Sequence, residues 1–155
     1  MNRYLQAAQE IAQEAGRLLV DEFRKPRQIS YKAGVDIVTQ ADHRSEEFIV
    51  ERLATLFPQH SVVAEEGGGQ QQDSEFTWYV DPLDGTTNFA HSYPVFAVSL
   101  ALVQGAGIVA GVVHDPMREE TFSAALGEGA WLNQKKLSVS KIERLQESLL
   151  STGFP

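Results

Sequence analysis

Cysteine is absent from the 155 residues. That excludes a disulfide framework, a thiol nucleophile and a zinc–thiolate site, and it suits a reducing cytoplasm. Positive charge is scarce: 13 Lys and Arg stand against 21 Asp and Glu, for a net charge of −8. This balance argues against a nucleic-acid-binding face and leaves an anionic substrate needing a cation to hold it. No apolar run approaches the roughly 20 residues that cross a bilayer, so no membrane association is expected. The first residues show none of the basic, apolar and small-residue regions of a signal peptide, and cytoplasmic residence is the expectation. The four histidines, His43, His60, His91 and His114, include no two at metal-ligand or triad spacing. Each reads as a surface or turn residue, with His91 at a pocket rim. Ser99 and Ser123 have no nucleophile elbow around them, and Gly67-Gly68-Gly69 is a flexible loop without the Lys-Ser/Thr of a P-loop. A chain of this length makes one compact domain, residues 1–155.

What the chain does hold is Trp78-Tyr79-Val80-Asp81-Pro82-Leu83-Asp84-Gly85-Thr86-Thr87-Asn88-Phe89. An apolar run that breaks at Pro and Gly reads as a buried strand ending in a turn. Asp81 and Asp84 lie three residues apart, with Pro82 fixing φ between them, so both carboxylates reach one small volume. Like charges held together repel unless a cation sits between them. Hard oxygen donors suit Mg²⁺, which keeps several waters and takes phosphate as a further partner. Gly85 and Thr86 follow with backbone N–H groups and a hydroxyl, at a helix start where an anion is favoured. Sixteen residues before Asp81, a second apolar run, Val62-Val63-Ala64, ends in Glu65-Glu66-Gly67. If the two runs are neighbours in a sheet, their acids leave it at one edge, where ligand sites of open sheets collect. Glu66, the second acid of its pair, reads as solvated.

The nonapeptide Asp81 to Phe89, with Glu65-Glu66-Gly67 upstream, resembles the signature of the inositol monophosphatase family of Mg²⁺-dependent, lithium-sensitive phosphatases. His91 and Pro94 are similar to that branch rather than to the nucleotide-bisphosphatase branch. The resemblance implies that Glu65, Asp81 and the Leu83 carbonyl hold a first Mg²⁺ and that Asp81 and Asp84 reach a second. It implies that Glu65 and Thr86, the latter polarised by Asp42, orient a water for attack on phosphorus. The Gly85 and Thr86 amides would take the phosphate oxygens. Lys32 to Asp42 is similar to the family's stretch whose last Asp hydrogen-bonds the motif threonine, and this places the Lys32 loop over the metal site. By the residues alone, Asp42 has a blander reading as an acid at a helix start. The expected substrate is inositol monophosphate or a similar small-molecule sugar or polyol phosphate, fructose bisphosphate included, and the products are an alcohol and inorganic phosphate.

Around this site the residues predict a layered α-β (α+β) fold, two long helices packed on a largely antiparallel sheet. The resemblance makes it the N-terminal half of an αβαβα sandwich. Leu5, Ala8, Ile11, Ala12, Ala15, Leu18, Leu19 and Phe23 form one apolar stripe of a helix from Asn2 to about Lys25, stopped before Pro26. A turn at Gly34 follows, and a second helix runs from near Asp42 to Pro58 with Phe48, Ile49, Leu53, Leu56 and Phe57 on one face. Beyond Phe89, apolar runs alternate with turns: Val95 to Val103, Ile108 to Val113, Thr121 to Ala125, Ala130 to Leu132 and Leu137 to Val139. This predicts an antiparallel meander. Val95 to Val103 is apolar at almost every position, which predicts cover on both faces, by the two helices on one side and by something else on the other, part of it missing from this chain. Ser148 to Phe154 reads as an edge strand able to pair two copies into a homodimer. The family's C-terminal half, with its Trp-Asp-x-Ala-Ala-Gly-like motif and a further metal-binding Asp, has no counterpart in these residues, so a truncated enzyme is expected. The alternative is a non-catalytic binding module that keeps the fold and acts through a partner or by dimerising.

Overall fold

A computed structural model describes residues 2–25, 29–32 and 36–152, with the backbone alone described for 29–32 and 36–39. Helix α1 spans Arg3–Phe23 and is capped by Asn2, whose side chain accepts a hydrogen bond from the Tyr4 N–H at 2.9 Å. Such a cap satisfies one of the unpaired amides of the first turn. Strands β1 (Ile29–Lys32) and β2 (Asp36–Thr39) form a separate antiparallel pair, and helix α2 follows at Gln40–Leu56. Then come β3 (Ser61–Ala64), β4 (Phe76–Asp84), the short helix α3 (Thr86–Ala90), β5 (Ala97–Gln104), β6 (Gly107–Asp115), β7 (Glu120–Ala125), β8 (Gly129–Leu132) and β9 (Lys135–Lys136). The turn at Gly34, Pro26 and residues 153–155 lie outside the described residues.

Strands β3 to β9 make one seven-stranded sheet in sequence order, with β3 and β4 parallel and every later pair antiparallel. This is the expected layered α-β arrangement. Both long helices pack on one face of the sheet, α1 over β5 to β7 and α2 over β3 and β4. Leu5, Ile11, Leu19, Ile49 and Leu53 meet Trp78, Val98, Leu100, Leu102 and Val112 in a single core. Full burial of each large aliphatic side chain stabilises by about 1.5–3 kcal/mol. At one end, His60 accepts from the Trp78 indole N–H at 3.1 Å and stacks on Phe76 and Phe57, and Tyr4 joins the cluster. His114 is buried and bonded to Thr121 at 3.0 Å. His114 is therefore a packing residue rather than a surface or turn residue, because β6 turns that position inward, while His60 lies in the turn before β3 as expected but is half-buried by its ring contacts.

Three expectations change. Strand β5 alternates buried with half-buried positions, so one face alone is covered. The opposite face leaves Val63, Tyr79, Val113 and Phe122 exposed. Leu137 to Val139 is not a strand. A single hydrogen bond from the Leu137 N–H to the Ala130 carbonyl continues past β9, and Val139 is 93 % exposed. Residues 148 to 152 also lack strand structure, and Leu149 is 99 % exposed. Hydrophobicity alone predicts a strand at both places, but a strand needs a ladder beside it, and neither segment is part of one among the described residues. No described helix is long and apolar enough to cross a membrane.

Candidate metal centre

The parallel pairing of β3 with β4 places the acids. Ala64 is opposite Val80 in the register, so Glu65 and Asp81 are the next residues along the two strands, and the Glu65 N–H donates to the Val80 carbonyl at 3.2 Å. Strand alternation then turns both side chains to the face away from the helices. There they border a shallow cavity of about 270 Å³ lined by Val63, Ala64, Glu65, Tyr79, Val80, Asp81, Ser99 and Ala101. The Asp81 carboxyl stands within hydrogen-bonding reach of Glu65. Burial, then the charge and hydrogen bond of Glu65, then the charge of Asp84 push its pKa from 3.8 up to about 7, opposed by the Leu83 N–H. That N–H donates to Asp81 Oδ1 at 3.2 Å. Crowded carboxylates of this kind are stable only with a proton or a cation among them.

The strand continues through Pro82 to Asp84, rather than breaking into a turn after Val80. Proline is tolerated because β3 has already ended at Ala64, which leaves β4 an edge on that side. The register against β5 shifts between Asp81 and Asp84, an irregularity of the kind that re-aims side chains beside sites. Asp84 emerges exposed, while the Leu83 side chain is buried. Gly85 follows with φ +94°, and a Cβ there would lie 3.0 Å from the Val95 carbonyl oxygen. Only glycine accepts both conditions without strain. Thr86 starts α3, and its hydroxyl reaches Asp42 Oδ1 at 2.9 Å and the Leu83 carbonyl at 3.0 Å. The expected Asp42–Thr86 pair is therefore formed, with Asp42 buried in the first turn of α2.

Helix α2 braces this arrangement with residues the sequence reading passed over. Ser45 Oγ donates to the Pro82 carbonyl at 2.9 Å. Glu46, buried, accepts from the Glu66 and Gly68 N–H groups at 2.6 and 2.7 Å. The glycine loop is thus tied down rather than free. From the motif itself, Asn88 Nδ2 donates to the Val95 carbonyl at 2.9 Å, and the Phe89 ring packs between Phe23 and Phe96. These letters of the nonapeptide hold the turn. His91 is exposed at the end of α3, and the side chain of Lys32 lies outside the described residues.

The donor set suits Mg²⁺, which is commonly held by one or two carboxylates together with waters and phosphate rather than by a full protein cage. Among the described residues, no three His, Cys, Asp or Glu side chains stand together in an arrangement that could hold a metal by themselves. What the described residues bring together is the two carboxylates of Glu65 and Asp81, with the charge of Asp84 near them.

Comparison with known proteins identifies the family. The model of the inositol monophosphatase family matches residues 1–155. An inositol monophosphatase of Dictyostelium discoideum is 38 % identical over 99 % of the chain, which spans 58 % of that relative's length. The Nus factor SuhB of Escherichia coli is 40 % identical over the whole chain, which spans 59 % of it. The crystal structure of the extragenic suppressor protein suhB from Bartonella henselae superposes with a TM-score of 0.88 at 39 % identity, over 93 % of this chain and 57 % of that one. The chain thus spans somewhat over half the length of these relatives, and it belongs to the inositol monophosphatase family.

Proposed function

We propose that this chain carries the metal-binding and water-orienting part of an Mg²⁺-dependent phosphatase. Its substrate is inositol monophosphate or a similar polyol phosphate, and its products are the alcohol and inorganic phosphate. The observation that carries the reading is the Glu65–Asp81 pair at the open end of the β3–β4 ladder, with Asp84 close enough to add its charge. Glu65, Asp81, Asp84 and the Leu83 carbonyl would hold the ion, which when bound lowers the pKa of water and offsets the charge of the phosphoryl oxygens. The Thr86 hydroxyl directs its hydrogen toward Asp42 and the Leu83 carbonyl, so its lone pairs are left to accept a hydrogen bond from an attacking water. Glu65 is assigned the role of base for that water's other proton as the oxygen bonds to phosphorus and the ester oxygen leaves. The Gly85 and Thr86 amides are assigned to the phosphate oxygens, and Lys32 to a loop contact with the substrate.

Titration of Mn²⁺ or Mg²⁺ into the purified chain tests the metal assignment. Wild type should bind, while Glu65→Gln and Asp81→Asn should lose at least tenfold in affinity; a wild-type chain that binds neither ion refutes the reading. Phosphate release from inositol 1-phosphate tests the activity. We propose that the 155 residues alone turn over little or not at all, because a second ion would lack a carboxylate; robust turnover by this chain would refute that. In a longer family member, a change equivalent to Asp84→Asn should abolish turnover. The relatives named Nus factor SuhB and the uncovered sheet face favour a second reading, a binding role through a partner or a second copy. Phosphate release by a longer family member carrying these residues, dependent on Mg²⁺, blocked by Li⁺ and lost on the changes equivalent to Glu65→Gln and Asp81→Asn, separates the two.

A further inference from the structure

We infer that Glu46 is a positioning residue for the metal centre: its buried carboxylate clamps the loop behind Glu65 and so sets where the Glu65 carboxylate stands. The inference rests on the metal reading of Glu65 and Asp81. Glu46 is 4 % exposed, and no described Lys, Arg or His pairs with it. Burying a carboxylate without a cation is unfavourable unless hydrogen bonds replace the lost water. Here one oxygen accepts from the Glu66 N–H at 2.6 Å and the other from the Gly68 N–H at 2.7 Å. A glutamine would offer only one acceptor atom for the two amides, and an apolar residue none.

The loop is shaped to this carboxylate. A Cβ on Gly68 would lie 2.6 Å from Glu46 Oε1, so the approach depends on glycine. On the other side of Glu65, its own N–H is bonded to Val80 and the Gly67 N–H closes back on Ala64 at 3.3 Å. The peptide units before and after Glu65 are therefore both fixed, one by the β3–β4 ladder and the other by Glu46. Only the Glu65 side chain is left to move. This matters because Glu65 and Asp81 repel when both are ionised, and an unclamped loop would relieve the repulsion by swinging Glu65 away. Groups that orient ligands in this manner commonly change metal affinity 10- to 100-fold when removed.

The test uses the 155-residue chain with Mn²⁺ as the probe. Glu46→Gln should raise the Mn²⁺ Kd at least tenfold and speed amide exchange at Glu66 and Gly68 by a similar factor. Ile49→Val, a core change on the same face of α2, serves as a control for lost stability and should leave the Kd within twofold. Should Glu46→Gln fail to fold, Gly68→Ala keeps the charge, displaces the carboxylate from the amide and should also weaken Mn²⁺ binding. Faster exchange with an unchanged Kd would overturn the positioning role while leaving the metal reading standing. Failure of the wild type to bind Mn²⁺, with Glu66 and Gly68 still protected, would instead overturn the metal reading and this inference with it.

Discussion

Asp81 carries the site's main electrostatic tension. Its folded pKa of about 7 lies above the 3.8 of a free carboxyl, so between those values the folded chain binds a proton that the unfolded chain has released. Stability without metal must then fall as pH rises through this window, and the full penalty is present above the folded value. The expected result is a Tm in chelator that drops by several degrees between about pH 5 and about pH 8 and is recovered on adding Mg²⁺. Asp81→Asn should flatten that slope, raise the metal-free Tm near pH 8 and abolish the response to Mg²⁺. A wild-type Tm that stays level across the window would contradict the crowding of the two acids. Thr86 and Asp42 make a separate test. Thr86→Val removes the hydroxyl but keeps the shape, leaving buried Asp42 short of a donor, so a loss of about 1–3 kcal/mol in denaturant unfolding is expected. Undiminished stability would mean that the pair is not formed in solution.

The polar residues that brace the site form a pattern on one helix. On α2, Asp42, Ser45, Glu46, Ile49 and Leu53 share the buried face, at spacings of three and four. The stripe is polar for its first turns and apolar afterwards. A helix stripe read only for its apolar members begins at Phe48 and misses the half that does the positioning. This is why Asp42 could be singled out only through a family likeness, while Ser45 and Glu46 were missed. The acids themselves were legible because Asp-Pro-Leu-Asp-Gly and Glu-Glu-Gly punctuate apolar runs. Their convergence was legible only as a condition, since register across a parallel pair is not written in either strand. Leu137 to Val139 and residues 148 to 152 read as strand by composition but join no strand ladder among the described residues, which no local pattern reveals. Helix α1 supplies another constraint invisible to periodicity. A Cβ on Gly16 would fall 2.6 Å from the His114 ring, so α1 approaches β6 closely only because that position is bare. Gly16→Ala gains helix propensity yet should destabilise the fold by about 1–3 kcal/mol through overpacking. A stabilised variant in urea unfolding would show that the helix can lift from the sheet at little cost.

Across the whole molecule, the sheet has two unlike faces. The helix-covered face holds the core, while Val63 beside Tyr79 and Val113 beside Phe122 lie in register on the other face, the same side that carries Glu65 and Asp81. Tyr79 is 49 % exposed and Phe122 41 %. Large apolar side chains grouped on an open face offer a surface to apolar probes. The core does not depend on them, because Trp78, Val80, Val112 and the helices pack from the opposite side. The chain should therefore bind an environment-sensitive hydrophobic dye at neutral pH while still unfolding in one cooperative step, which distinguishes it from a loosened globule that binds dye but has lost fixed packing. Tyr79→Lys combined with Phe122→Lys should reduce dye fluorescence by about half or more and shift the Tm by no more than a few degrees, because side chains already facing water contribute little to stability. If the double variant instead loses its cooperative transition, the face is part of the core, and the division between a packed side and an open, metal-bearing side is wrong.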